Sequence, residues 1–305
     1  MNILIIGLGS IAQKHIVAIR EVIREPEIYA LRSEKDKEPF PGVHNIYSLD
    51  ELATRPDFVI ISNPTHLHST SIRDTVTLGC PLFIEKPVIH SLEDLENLRE
   101  LLLRHHTTTY VACNMRFHPA IQFLRSYLNT HHDRINEVNV YCGSYLPDWR
   151  RGRNFRTIYS ANKSMGGGVH LDLVHEMDYC CWLFGMPSKT ISLKRNVSCL
   201  QIDAVDFAHY NLLYDLFVAN ITLNYYRRDD RRTIEIVTEE DTIEADLSRC
   251  TVTALRTGKS LFGQDFKMKD TYAQQMKYFL EHIEKKQKPM NDFFEAVEIM
   301  KIVLT

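Results

Sequence analysis

The sequence predicts two domains: an N-terminal α/β domain with a doubly wound parallel sheet, then an α+β domain with a mostly antiparallel open sheet. Three observations support this fold class. The chain has 305 residues, more than one domain usually contains. Short apolar strands alternate with helices over residues 1–114. Longer strands of alternating polarity dominate residues 115–305, so we place the domain boundary between residues 114 and 115.

The composition is that of an ordinary globular protein. It is 44% hydrophobic and 25% charged, which suffices to bury a core. A net charge of -3 argues against nucleic acid or membrane surfaces as partners, and no apolar run approaches the ~20 residues that span a bilayer. We expect a cytoplasmic location, because the first strand leaves no room for a signal peptide. The seven cysteines show no C-x-x-C spacing, which favours reduced thiols.

The first twelve residues carry the clearest functional pattern. Residues 2–6 form an apolar strand, and a G-x-G-x-x-A sequence leads from it directly into an apolar helix. Gly7 allows a tight turn, Gly9 lets the backbone approach a pyrophosphate, and Ala12 allows close packing of helix and strand. The alternative is an ordinary strand-to-helix turn. The order of strand, glycines and helix favours a dinucleotide-binding Rossmann domain, with these cofactor-binding residues: Gly7, Gly9, Ser10, Ile11 and Ala12.

The end of the second strand, residues 27–31, bears on the choice of cofactor. An NAD enzyme usually carries an acid near this position for the ribose 2′-hydroxyl. Here Arg32 and Ser33 stand in its place, 23 and 24 residues after Gly9. A guanidinium and a hydroxyl suit a 2′-phosphate, so NADP is favoured over NAD. Two alternatives stay open: Arg32 stacks on adenine, or Glu34 takes the role of the acid.

The rest of the first domain continues the alternation of strands and helices. We predict strands at 57–62, 81–84 and 108–113, and helices at 66–79 and 91–103, the second with Ser91 as its N-cap. Asn63-Pro64-Thr65 and Glu85-Lys86-Pro87 therefore follow the carboxyl ends of two strands. Ligands bind at this edge of a parallel sheet.

The second domain shows longer strands and fewer helices. We predict strands at 138–145, 188–198, 204–214, 217–226, 233–238 and 242–246. Polar turns separate them, including one at 227–231. Helices are predicted at 119–128, 165–183, 272–286 and 292–303, and the last of them is expected to be able to pack back on the first domain.

Three motifs together resemble the Gfo/Idh/MocA oxidoreductases, the family of glucose–fructose oxidoreductase and inositol dehydrogenase. They are the glycine motif at 7–12, Glu85-Lys86-Pro87, and the G-G-G-V-H-L-D-L-V-H sequence at 166–175. The resemblance implies a Rossmann domain, an open C-terminal sheet, and a homodimer or homotetramer formed through that sheet. It also implies that the 63–68 segment lies beside the nicotinamide ribose. This segment and the Glu85-Lys86-Pro87 motif add cofactor-binding residues: Asn63, Pro64, Thr65, His68, Glu85 and Lys86.

Lys86 is the main candidate for catalysis. A lysine at a strand end beside the nicotinamide can hydrogen-bond a substrate hydroxyl and stabilise the developing alkoxide. The alternative is a solvated surface lysine. Glu85 is expected to orient the loop or to pair with Lys86, and the resemblance implies a bond before Pro87 that is often cis.

Asp172 and His175 are three residues apart on the predicted helix 165–183 and would face one side of it. The resemblance implies that His175 is the general acid/base for the reacting hydroxyl, and that Asp172 binds substrate or tunes the histidine. Many relatives space the pair by four residues, which makes Asp172 the less secure of the two. His170 is a spare candidate, Asp178 is expected to be structural, and a core histidine is the alternative for His175.

Arginines supply the remaining candidates for substrate binding. The resemblance places Arg116 at the substrate pocket, and an interdomain ion pair is the alternative. The loop at 147–156 carries four arginines and two aromatic residues in ten positions. Arginine forks bind phosphate or carboxylate, so Arg153 and Arg156 suggest an anionic or nucleotide-linked substrate; a solvated loop or a subunit contact is the alternative.

These features predict an NAD(P)-dependent oxidoreductase acting on a carbinol or ketone of a sugar or sugar derivative. No histidine or cysteine cluster has the spacing of a metal site. Two other functions stay open. One is cofactor-assisted elimination or glycoside cleavage without net redox change, and the other is a non-catalytic regulator that senses a dinucleotide.

Overall fold

The computed structural model of the chain describes residues 1–33, 38–150 and 152–305. They form two compact units. Unit 1 comprises Met1–Asn114 and Lys269–Leu304, and unit 2 comprises Met115–Met268 and Thr305. The predicted fold class is confirmed, because one sheet is parallel and the other is mostly antiparallel.

Unit 1 is built on a six-stranded parallel sheet in the order β3-β2-β1-β4-β5-β6. Its central strands are buried on both faces, and all four residues of Phe58–Ile61 are inaccessible to solvent. This burial explains their unbroken apolar sequence. The sequence analysis missed β3, whose three residues carry no apolar pattern. The strands are β1 Asn2–Ile6, β2 Glu27–Leu31, β3 His44–Ile46, β4 Phe58–Ile61, β5 Leu82–Ile84 and β6 Thr109–Val111.

Five helices belong to unit 1: α1 Ser10–Val22, α2 His68–Val76, α3 Leu95–Arg104, α7 Asp270–Glu284 and α8 Phe293–Leu304. The sequence analysis started α3 too early. The Ser91 hydroxyl accepts the Glu93 N–H in the turn before the helix, and so it does not cap the helix itself.

The two C-terminal helices lie in unit 1, whereas the sequence analysis assigned residues 115–305 to the second domain. The apolar face of α7 accounts for the difference. The Phe279 ring lies 5.3 Å from the rings of both Phe58 and Phe83 and 5.8 Å from that of Tyr110. Aromatic burial of this kind is a large share of core energy, and only the folded chain shows which core the helix joins.

Unit 2 contains an eight-stranded sheet in the order β14-β13-β12-β11-β7-β10-β9-β8. Its neighbouring strands run antiparallel except for β7 and β10. The strands are β7 Ile135–Tyr145, β8 Lys189–Arg195, β9 Phe207–Leu213, β10 Val218–Asn224, β11 Tyr226–Thr238, β12 Thr242–Asp246, β13 Thr251–Ala254 and β14 Lys259–Gly263.

The predicted turn at 227–231 is wrong, because these residues lie inside β11. Tyr226 pairs with Tyr145 and Arg231 pairs with Gly143, with a shift of register between the two pairs. The irregular start of the strand exposes its charged side chains, so their polarity resembles that of a turn. The short strands β13 and β14 were not predicted.

The helices of unit 2 are α4 Pro119–Thr130, α5 Val169–Asp172 and α6 Val174–Phe184. The single helix predicted at 165–183 is therefore wrong. Gly166 and Gly168 have φ of 78° and 139°, values that a helix does not accommodate, and Leu173 separates α5 from α6. The glycine run thus turns the chain before α5 instead of starting a long helix.

In the described part of the chain, no helix is long and apolar enough to cross a bilayer. All seven cysteines lie in this part and are free thiols, and only Cys199 is exposed.

Candidate functional site

The carboxyl edge of the unit 1 sheet gathers the candidate residues of the first domain. Strand β1 lies beside β4, and β4 lies beside β5, so Ile6, Ile61 and Ile84 are in register across the three strands. Neighbouring strands are about 4.8 Å apart. The turns that follow these strands therefore lie side by side: first the glycine turn, then Asn63, then Lys86.

The glycine turn has the shape that an anion requires. Gly7 has φ +83°, and a Cβ there would lie 3.0 Å from the Cα and Cβ of Asn63. A Cβ on Gly9 would meet nothing within 4 Å. The first turn of α1 receives no hydrogen bond from a capping side chain, and Ser10 is exposed while Ala12 is fully buried. Open space above free helix N–H groups fits a pyrophosphate.

Arg32 and Ser33 follow β2, which neighbours β1 on the side away from β4. Arg32 is 9% exposed, and its Nη1 donates to the Glu38 carbonyl at 2.9 Å. The same nitrogen lies 3.5 Å from Asn45 Oδ1, while Ser33 is exposed. Glu34, the alternative acid, lies outside the described residues. The guanidinium is thus held at the tip of β2 by a backbone carbonyl.

His68 joins two turns of this edge. It is 1% exposed, with Nδ1 3.0 Å from the Pro87 carbonyl and Nε2 3.0 Å from the Asn63 carbonyl. Burial lowers its pKa despite these two carbonyls, and a neutral imidazole has one N–H to donate. The His68 side chain thus ties the backbone of the two turns together, and its expected contact with the cofactor stays a prediction.

The other residues of the 63–65 turn differ in exposure. Asn63 donates from Nδ2 to the Ser71 hydroxyl at 2.8 Å, and its buried Oδ1 has no partner among the described residues. Pro64 is exposed, whereas Thr65 is 6% exposed. Asn63 and Pro64 are therefore the members of this turn best placed to meet a ligand.

Lys86 is partly buried and stands at the end of β5, and its peptide bond to Pro87 is cis, as the family resemblance implied. Its backbone N–H donates to Glu85 Oε2 at 3.1 Å. Burial alone would raise the pKa of Glu85, but a hydrogen bond from His15 at 2.5 Å and neighbouring positive charge lower it on balance. Glu85 is 6% exposed and accepts the Lys86 N–H, which fits the expected role of orienting the loop; its expected contact with the cofactor stays a prediction.

In unit 2, Asp172 is the last residue of α5 and is 5% exposed. Tyr159 donates to its Oδ1 at 2.7 Å, and Tyr225 donates to its Oδ2 at 2.5 Å. The charge of Asp172 and burial raise the pKa of Tyr159, and burial with the same charge raises the pKa of Tyr225. Both carboxylate oxygens thus accept hydrogen bonds from phenols that stay protonated.

His175 lies in α6 and is partly buried. Because α5 ends at Asp172, the two candidates do not share one helix, and the argument from helical spacing fails. The spare candidate His170 lies in α5, and burial lowers its pKa to about 4. His170 is therefore a neutral imidazole at physiological pH, which leaves His175 as the stronger candidate for an acid/base.

Arg116 lies in a buried ion pair, and its expected role in substrate binding stays a prediction. Arg116 and Asp178 are each 1% exposed, and two guanidinium nitrogens donate to the carboxylate at 2.7–3.2 Å. Both residues belong to unit 2, so the pair is also not the interdomain pair that was the alternative. A buried ion pair with this geometry serves the fold, as expected for Asp178.

The arginine-rich loop touches the Asp172 cluster through a residue that the sequence analysis did not select. The Arg150 guanidinium lies 5.7 Å from the centre of the Tyr159 ring. Arg153 is exposed, and Arg156 donates to the Leu200 carbonyl at 2.9 Å. Arg151 lies outside the described residues.

The comparisons with known proteins agree with this fold. Residues 1–113 match the sequence model of the Gfo/Idh/MocA family, described as an oxidoreductase family with an NAD-binding Rossmann fold. The match covers the dinucleotide-binding part of the chain and agrees with the family resemblance of its motifs.

Among its relatives is scyllo-inositol 2-dehydrogenase (NADP(+)) IolW of Bacillus subtilis, 23% identical over 68% of this chain and 57% of the relative. The first three curated relatives are matched over 56–59% of their own length, which is less than two thirds.

Solved structures of similar fold include UDP-N-acetylglucosamine 3-dehydrogenase GnnA from Acidithiobacillus ferrooxidans. It has a TM-score of 0.78 at 19% identity, with 100% of this chain and 95% of the other covered. The WlbA dehydrogenase from Bordetella pertussis, solved with NADH and UDP-GlcNAcA, has a TM-score of 0.80 at 16% identity, with coverage of 98% and 92%. At these identities the likeness concerns the fold.

Four residues of the site were missed by the sequence analysis: His15, Arg150, Tyr159 and Tyr225. His15 and Tyr225 contact partners far along the chain, and no local spacing marks such a pair. His15 and Glu85 are 70 residues apart, and Tyr225 and Asp172 are 53 apart. Arg150 alone had a signal, because it belongs to the arginine-rich loop.

Proposed function

We propose that this chain is a member of the Gfo/Idh/MocA family and an NAD(P)-dependent oxidoreductase that acts on a carbinol or ketone of a sugar or sugar derivative. One observation carries the proposal. Lys86 follows the carboxyl end of β5, on the same sheet edge as the glycine turn after β1, and β4 lies between these two strands. Two inter-strand spacings make about 10 Å, which suits a ribose and a nicotinamide ring between the two positions.

We assign the following roles to the cofactor and to two residues of the chain. A bound nicotinamide supplies the hydride donor or acceptor. Lys86 donates a hydrogen bond to the substrate oxygen and stabilises negative charge that develops there. His175 takes the hydroxyl proton during oxidation and returns it during reduction.

Asp172 fits a supporting role better than that of a base. Its two oxygens already accept from Tyr159 and Tyr225, and these bonds hold the carboxylate in place. A carboxylate fixed in this way can orient a substrate hydroxyl or the imidazole of His175 without taking a proton.

A double variant tests whether Lys86 and His175 act on one step. If they do, the fold loss of turnover in Lys86→Ala/His175→Ala is smaller than the product of the fold losses in the two single variants.

The preferred cofactor is NADP, with NAD as the alternative. The support is the Arg32-Ser33 pair at the tip of β2 and the absence of an acid directly after this strand. The relative IolW is named as NADP-dependent. Arg32→Ala should reduce the ratio of NADPH affinity to NADH affinity by about tenfold or more, as measured by fluorescence titration. An unchanged ratio refutes this choice.

An anionic or nucleotide-linked sugar is the proposed substrate class. Arg150 lies over Tyr159, which holds Asp172, so the loop reaches the candidate acid/base region of unit 2. Two structures of similar fold are named for UDP-sugars. Charge reversal of Arg153 and Arg156 should raise the substrate KM about tenfold with little change in kcat. Arg249→Glu, at an exposed site of unit 2, is the matched control.

The deciding experiment is a screen for cofactor reduction. NADP or NAD is paired with free sugars, sugar acids, inositols and sugar nucleotides, and nicotinamide absorbance is followed. Turnover on one class that falls at least about a thousandfold in Lys86→Ala and persists in Lys189→Ala supports the proposal. Lys189 is an exposed lysine at the start of β8. Tight dinucleotide binding without reduction of any nicotinamide refutes it in favour of the non-redox or regulatory functions.

The eight-stranded sheet is the proposed oligomer interface, which would make the protein a homodimer or homotetramer. Its edge strand β8 exposes Ile191 and Leu193, at 52% and 49%. Apolar side chains on a sheet edge favour pairing with another chain. Light scattering should show an oligomer that Ile191→Asp/Leu193→Asp weakens; a monomer at micromolar concentration refutes the proposal.

A further inference from the structure

A buried histidine and carboxylate lie directly beneath the Lys86 backbone. His15 on α1 is inaccessible to solvent, Glu85 is 6% exposed, and His15 Nε2 lies 2.5 Å from Glu85 Oε1. The second carboxylate oxygen, Oε2, accepts the Lys86 N–H at 3.1 Å. A continuous chain of hydrogen bonds therefore runs from the first helix to the backbone of the candidate catalytic lysine.

The placement of the protons follows from the partners of the imidazole. Burial raises the pKa of Glu85, but the hydrogen bond from His15 and nearby positive charge outweigh burial and lower this pKa on balance. Glu85 is therefore a carboxylate that accepts a hydrogen bond from His15 Nε2. His15 Nδ1 is buried with no partner in the described part of the chain. A second proton there would be an unsatisfied buried donor, at a cost of about 1–3 kcal/mol. Glu85 keeps its negative charge beside Lys86.

Ring contacts fix the orientation of the imidazole. Phe83 on β5 meets the His15 ring edge-to-face at 4.9 Å between centroids, and Tyr272 on α7 does so at 5.8 Å. Both rings belong to unit 1. The imidazole is thus packed from two sides, and it cannot swing away from Glu85 without opening the core.

We propose that His15 and Glu85 are positioning residues for Lys86, with His15 orienting the Glu85 carboxylate and Glu85 holding the Lys86 backbone and the charge of its ammonium group. This inference rests on the proposed function of Lys86. The ionisable groups around Glu85 are His15 from α1, His68 from α2 and Lys86 itself. His68 reaches the same segment independently, through the Pro87 carbonyl.

Kinetics of three variants test the positioning role. His15→Leu removes the hydrogen-bond donor and should lower kcat about 10- to 100-fold, with the cofactor KM changed by less than about threefold. In the pH profile of kcat, the acidic limb of this variant should move to higher pH by about one unit, because Glu85 without its hydrogen-bond donor binds a proton more readily. His15→Gln offers an amide N–H and should recover most of kcat. Ile16→Ala, at a fully buried neighbour, is the control for lost stability.

A loss of kcat in His15→Leu that matches Ile16→Ala, with an unmoved pH profile, overturns the proposal. A second measurement needs no turnover. The lysines are labelled by reductive ¹³C-methylation, the Lys86 signal is assigned with Lys86→Arg, and its titration midpoint is compared in wild type and Glu85→Gln. A midpoint lowered by about half a unit or more supports the proposal, and an equal midpoint refutes it. A lowered midpoint without turnover on any carbinol refutes the oxidoreductase function and leaves the positioning role standing.

Discussion

His118 makes the stability of unit 2 depend on pH. It is inaccessible to solvent, and it is the N-cap of α4, where its Nδ1 accepts the Ala120 N–H at 3.2 Å. Its Nε2 donates to the Leu247 carbonyl at 3.0 Å. Burial is the main cause that lowers the pKa of His118 to about 4. A proton on Nδ1 would also turn the cap acceptor into a donor that faces another donor.

The direction and size of the effect follow from linkage. The unfolded chain protonates this histidine near its ordinary pKa of about 6.5, and the folded chain only near 4. The unfolded state therefore binds more protons between these values, and stability falls as the pH drops through that window. With these two pKa values, the contribution of His118 to the unfolding free energy falls by about 2 kcal/mol between pH 7 and pH 5.

Urea unfolding followed by tryptophan fluorescence measures this change. Both tryptophans, Trp149 and Trp182, lie in unit 2 with His118. His118→Asn keeps an N-cap oxygen and does not titrate in this range, so its unfolding free energy should fall by about 2 kcal/mol less than that of wild type between pH 7 and pH 5. His132→Asn, at an exposed position, is the matched control. Equal decreases in wild type and His118→Asn would refute the reasoning.

Three further substitutions test the structure and the site. Gly9→Ala should lower the unfolding free energy by about 1 kcal/mol or less, because its Cβ meets nothing within 4 Å and only the N-cap preference for glycine is lost, yet it should weaken dinucleotide binding in titrations. Gly167→Ala should cost about 3 kcal/mol, because its Cβ would lie 2.1 Å from the Tyr159 carbonyl oxygen; unchanged denaturation would contradict this. Arg116→Met leaves the Asp178 charge buried and should cost about 3–5 kcal/mol in urea denaturation, whereas a raised substrate KM at wild-type stability would restore Arg116 as a ligand.

Predictions from local pattern agree best with the structure in the first domain. Strands β1 and β2 have the predicted bounds, and the other strands of this domain that were predicted differ by one or two residues at an end. Their apolar runs are unbroken because both sheet faces are covered. The glycine turn was also predictable, because Gly7, Gly9 and Ala12 stand where the turn, the pyrophosphate and the helix packing leave no room for a larger side chain.

Predictions of how a residue is used were less successful. Arg116 was expected to meet substrate, His68 the cofactor, and Asp172 to share a helix with His175. In the structure Arg116 is in a buried ion pair, and His68 contacts two backbone carbonyls. A break between α5 and α6 separates Asp172 from His175. The sequence shows which side chains carry charge or ring nitrogens, but it does not show which of these are covered by the fold.

The sequence by itself determined the fold class, the glycine turn, and the placement of Lys86 after a buried strand. The glycine turn and the placement of Lys86 depend on runs of fewer than about ten residues, where periodicity and steric limits act locally, and the fold class depends on the order of such runs along the chain. Only the tertiary structure decided the partners: His15 with Glu85, and Asp172 with two tyrosines. Such pairs join residues far apart in the chain, and their energy comes from burial in a shared core. That burial exists only once the chain has folded.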